Sequence, residues 1–209
     1  MPTTGVQPAV TSDAPEWFGS AARGNASFPL LMGVYVIVYS VWWALAWGWV
    51  GIVAFALAAA YAGWFVARGI RQIRHAARFP AEPTAEDRRI GRAMGLLNSV
   101  THPIWMLGGV VLVLVGQARF VLPLMVIVIG AHFLPMARIL GRRIDYLLGP
   151  IAIAFGAVAV VLGLDDSYGW LEVFAVAGVG GALSTGAYAA YMARAYTRLC
   201  ERAGIPGPR

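Results

Sequence analysis

Six runs of mainly apolar residues, parted by short polar stretches, constrain this chain more than any other feature. They are 28–47, 49–67, 93–115, 120–137, 146–164 and 168–192. About 20 residues at a rise of 1.5 Å cross a hydrocarbon layer of roughly 30 Å, so each run has the length of a membrane span. The expected fold is all-α: a polytopic membrane protein of six transmembrane helices in three hairpins, multi-pass in the cell membrane. With 59% hydrophobic and 12% charged residues, the chain has too little charge to clothe a soluble domain.

The cations set the expected orientation. All 16 are arginines, and 15 of them fall on one side of the six-span arrangement, leaving only Arg119 on the other. The positive-inside rule then predicts both termini in the cytoplasm. A net charge of +6 follows from this topology, and no nucleic-acid partner is expected. The single Cys200 allows no disulfide within the chain and no cysteine-based metal motif.

Outside the spans, residues 1–27 read as a flexible N-terminal arm, with Trp17 and Phe18 placed to touch the membrane surface. The cytoplasmic loop 68–92 is rich in arginine. Its first half keeps helical spacing, which makes Arg68, Arg71, Arg74 and Arg78 candidates for anionic lipid headgroups. Pro80 and Pro83 end that segment, and Thr84 to Asp87 reads as the cap of the next helix. Asp145 reads as the cap of span five, with Pro150 in its first turn. Asp165 to Ser167 offers cap oxygens to span six, and 194–209 reads as a basic tail.

One polar cluster interrupts the apolar pattern. Asn98, His102 and Trp105 share a helical face of span three, with Ser99 and Thr101 beside them. Counting from Arg92 and Arg138 places Asn98 and His132 each about 9 Å deep and His102 about 15 Å deep. Pro103 and Pro135 would free the carbonyls of Ser99 and Ala131, and broken helices at matched depth resemble transporter binding sites. His132, His102, Asn98, Ser99, Pro135 and Pro103 are therefore the candidates for a ligand or proton site. An imidazole with a pKa near 6.5 suits that role, while the structural reading is a neutral histidine clamping two spans. Two histidines without a third ligand make a weak metal site and a poor haem site, so no metal or cofactor is expected. Glu172 is the only acid inside a span, which argues against acid-base catalysis.

At Gly130-Ala131-His132-Phe133-Leu134-Pro135, followed by Tyr146 and a glycine-containing span, the chain resembles a family of small bacterial membrane proteins. These are six-helix integral membrane proteins of the domain-of-unknown-function kind, in which a Gly-x-His-Phe-x-Pro step recurs near the end of an inner span. The resemblance covers about spans three to five. It departs from that pattern after Pro135, where arginines stand in place of aromatic residues. It implies a bacterial inner membrane protein and carries no activity with it.

Two functions follow as expectations. The first is a transporter-like or ligand-binding membrane protein, proton-linked or taking a small molecule, with its site at the histidines. The second is a non-catalytic scaffold or accessory subunit. In span six, Gly178, Ala182 and Gly186 form a small-residue stripe that admits another helix, either within the chain or from a partner.

Overall fold

A computed structural model describes residues 14–208. The described chain is helical throughout: α1 (Glu16–Ala26), α2 (Phe28–Ala46), α3 (Gly48–Ala76), α4 (Ala85–Leu114), a short 3-10 turn (Ala118–Phe120), α5 (Val121–Leu140), α6 (Asp145–Gly163) and α7 (Trp170–Ala203). Among the described residues, six helices are long and apolar enough to cross a membrane, α1 and α2 counting as one continuous segment.

The chain reverses where residue chemistry requires it. Gly48 takes φ +56° between α2 and α3, a left-handed conformation that glycine reaches without a Cβ clash, so one residue makes the turn. Thr84 caps α4 as expected: its hydroxyl accepts from the Asp87 backbone N–H, and the Asp87 carboxylate accepts from the Thr84 N–H.

Helix α7 lies at the centre. It packs on α2 and α6, and α2 in turn packs on α3. On the other side α5 packs on α6, while α4 packs on α5 and the 3-10 turn. Close approach sets this order. A Cβ on Gly180 would meet the Phe155 side chain, and one on Gly181 would lie 2.5 Å from the Tyr39 ring. Tyr39, Val126, Ala159, Val173 and Ala177 form the central core.

The polar segments hold more structure than the sequence reading allowed. Residues 16–26, expected within a flexible arm, form α1, while 1–13 lie outside the described residues. The reason is a short stripe at i, i+4 and i+8: Phe18, Ala22 and Ala26 are buried against Ala76, Phe79, Tyr196 and Cys200. Phe18 is thus a core residue, whereas Trp17 is exposed. The expected loop 68–92 shrinks to 77–84, because α3 runs on to Ala76 with Gln72 and His75 on its buried face. Likewise α7 continues to Ala203, taking in much of the expected tail.

Candidate functional site

The predicted cluster is only partly assembled. His132 on α5 is half-buried, and its Nδ1 lies 3.0 Å from Oγ1 of the buried Thr101 on α4. That bond joins two helices. His102 instead turns back on its own helix, where Nδ1 donates to the Asn98 carbonyl at 3.0 Å. Ser99 does the same, its hydroxyl donating to the Leu96 carbonyl at 2.8 Å. Asn98, Ser99, His102, Pro103 and Pro135 are all exposed on the outside of the bundle. The azimuth differs from the expectation: Thr101, one residue before His102, bonds His132 of α5, while the His102 ring bonds its own helix.

The small-residue stripe of α7 is used within the chain. Gly178 meets the Tyr39 backbone, and Gly186 lies against the Tyr61 and Val36 side chains. Tyr61 also donates to the Gly186 carbonyl at 3.0 Å. Of the headgroup candidates, Arg68 is half-buried and donates to the Thr197 hydroxyl at 2.8 Å, with its guanidinium over Trp64. Arg71, Arg74 and Arg78 are exposed.

A denser set of polar groups gathers at the arginine-rich end. Around α1, the Tyr196 hydroxyl lies 2.8 Å from His75 Nδ1 and 3.3 Å from the Gln72 carbonyl, tying α7 to α3. Arg23 donates to the Phe79 carbonyl at 2.8 Å, and Ser20 to the Asp87 carboxylate at 2.7 Å. Beside this layer, Arg142 reaches from the turn before α6. It donates to the Tyr188 hydroxyl and, at 3.2 Å, to Oδ1 of Asn25, and it stands over the Phe28 ring at 5.1 Å. One half-buried cation therefore links α1, α2 and α7 through neutral partners alone.

Asp145, three residues on, is the group that the sequence reading misplaced. It is not a cap. Ile144 holds the cap position of α6, and Asp145 is fully buried, with both carboxylate oxygens lacking a hydrogen bond. Pro150 stands in the second turn of α6, not the first. The available signal was the apolar company of Asp145, since Ile144, Tyr146, Leu147 and Leu148 surround it.

At the opposite end, Asp165 accepts from the Ser167 backbone N–H at 2.9 Å, which holds its carboxyl below the ordinary aspartate range. Gly169, without a side-chain bond, takes the cap of α7 that the acidic turn was expected to supply. Arg119 pairs with Asp166 at 3.0 Å. It also borders an open crevice of about 680 Å³ between α4, the 3-10 turn and α7, walled by Val113, Val121, Trp170 and Phe174.

Among the described residues no three His, Cys, Asp or Glu side chains converge as a metal site. These observations define an all-helical protein whose six long apolar helices are compatible with a multi-pass membrane protein. Compared with family models, curated proteins and solved structures, the chain matches none of them.

Proposed function

We propose that this chain is a non-catalytic membrane subunit that docks on another membrane protein through the outward face of α4. The observation that carries this reading is the isolation of α4. It packs on α5 and the 3-10 turn, and only Thr101 and Gly109 along its 30 residues are buried. Its free face is not merely apolar. Gly91, Gly95 and Ser99 recur every four residues, with open space around both glycines, and Asn98 and His102 stand alongside. In hydrocarbon the Asn98 side-chain amide and the second ring nitrogen of His102 are costly without partners, and a helix of small residues lets a second helix come close enough to supply them. The span-six stripe, open in the sequence to packing within the chain or to a partner, is filled from within, so the docking reading rests on the α4 face.

The orientation belongs to the same proposal. The arginine-rich end lies in the cytoplasm, where exposed Arg71, Arg74 and Arg78 meet anionic headgroups, in a bacterial cell membrane as the Gly-x-His-Phe-x-Pro resemblance implies. A transporter-like site at His132, His102 and Asn98 has less support, because two of those three side chains face away from the bundle.

The test is crosslinking in native membranes followed by native mass spectrometry, comparing wild type with Gly95→Leu and Asn98→Leu. A heavier complex in wild type that reverts to monomer in both variants supports docking through α4. A monomer in wild type rejects it.

A further inference from the structure

The buried carboxylate and the cation beside it stand in an arrangement that structural packing alone does not explain. Asp145 is fully buried with neither oxygen hydrogen-bonded, and no cation lies within ion-pairing distance of it among the described residues. Arg142, three residues earlier, is directed away to Tyr188, Asn25 and the face of Phe28. An ionised carboxylate without donors in such a place is strongly disfavoured, and the neutral acid costs far less. Removing the proton leaves an anion whose nearest compensation is the Arg142 guanidinium.

We propose that Asp145 is a proton-binding site whose occupancy decides whether Arg142 stays clasped to Asn25 and Tyr188. With the proton bound, the carboxyl is neutral and Arg142 holds α1 to α2 and α7. When the proton leaves to water at the arginine-rich end, the carboxylate competes for the guanidinium and draws it off Asn25. That loosens α1, whose other polar ties to the bundle are Arg23 to Phe79 and Ser20 to Asp87. The clasped state holds the proton more tightly, so the clasp is firm at low pH and is lost as pH rises.

The other titratable groups of this region are engaged elsewhere or face water. From α7, Tyr188 accepts from Arg142, with Tyr191 beside it in ring contact. From α5, His132 is bonded to Thr101 and Arg138 is exposed. Arg143 in the turn is exposed, and Arg23 of α1 is bonded to Phe79. The cluster lies apart from the proposed α4 docking face, so this inference stands whether or not α4 binds a partner.

Hydrogen–deuterium exchange on the full chain in lipid nanodiscs tests it, read at residues 16–26 from about pH 5 to pH 8 with intrinsic rates corrected. Protection in wild type is expected to fall as pH rises, by up to about tenfold per pH unit, the limit for one proton. Asp145→Asn, permanently neutral, is expected to hold its protection flat. A flat wild-type profile overturns the proposal, as does an unchanged slope in Asp145→Asn, which would assign the pH response to His75 under α1. If Asp145→Asn does not fold, the infrared C=O band of a protonated carboxyl decides in wild type. It must vanish over the pH range in which protection falls, and loss of protection without that change overturns the assignment.

Discussion

Gly130 of α5 and Gly149 of α6 bring two helices into backbone contact. A Cβ on Gly130 would lie 2.8 Å from the Gly149 carbonyl oxygen, and one on Gly149 would lie 2.7 Å from that of Gly130. Neither neighbour is a flexible side-chain tip, so a methyl group here must push the helices apart. Gly149→Ala is expected to destabilise the bundle by about 1–3 kcal/mol. Gly63→Ala, on the open face of α3, is expected to be neutral or slightly stabilising. Equilibrium unfolding in mixed detergent checks both, and equal stability of the two variants would mean that the contact is loose.

His132 and Thr101 form the polar contact between α4 and α5, and its role is separable by a double-mutant cycle. Interhelical bonds of this kind couple by about 0.6 kcal/mol and reach about 1.7. His132→Ala and Thr101→Val are expected to show a coupling in that range when measured singly and together. His102→Ala removes only a bond within one helical turn on an exposed face, so its effect on unfolding is expected to stay within about 0.5 kcal/mol. A large destabilisation from His102→Ala in the monomer would show that the imidazole does more than bond its own helix.

What could be read from the sequence follows from where the information lies. Run length and arginine placement are one-dimensional, so the six apolar helices and the Thr84 cap were legible. Azimuth is a property of packing. Nothing in the run 93–115 says which of Thr101 and His102 faces α5, and that one-residue difference turns a predicted site into a two-residue clamp. Length also concealed α1: eleven residues with a single buried aromatic give a weak periodic signal, and Phe18 gains its partners from α3, from Phe79 in the following loop and from α7. Asp145 was misread for a related reason. An aspartate at the start of an apolar run is by default a cap, and only tertiary packing shuts it away from water.

Tyr196 of α7 supplies the next test, because its hydroxyl meets two groups of α3 at once. It meets His75 Nδ1 at 2.8 Å and the Gln72 carbonyl at 3.3 Å in a fully buried setting. Tyr196→Phe keeps the ring and leaves buried polar groups without a partner, which costs about 1–3 kcal/mol. The loss is expected to be local. Amides of residues 68–76 and 16–26 should exchange faster, while α5 and α6 keep their protection. Uniform acceleration across the chain would instead make this layer part of the global unfolding unit.

Asp87 anchors the start of α4 in a way that couples two predictions. Its Oδ2 accepts from the Thr84 backbone N–H at 2.8 Å and from the Ser20 hydroxyl at 2.7 Å, so the cap of α4 is also its link to α1. Thr84→Ala removes the cap hydroxyl and is expected to lower stability by about 1 kcal/mol, with fraying confined to the first turn of α4. Ser20→Ala removes only the tie to α1, and its expected effect is about 0.5–1.5 kcal/mol, appearing as faster exchange in α1. The Thr84 hydroxyl also donates to Asp87 Oδ2, at 2.7 Å, so both substitutions remove a donor from one carboxylate and the two effects should not add: Thr84→Ala with Ser20→Ala is expected to lose more than the sum, since in each single variant the remaining bond to Asp87 strengthens and offsets part of the loss. Additive losses in exchange or unfolding measurements would show the cap and the tie acting independently, with α1 held mainly by Phe18 and Arg23.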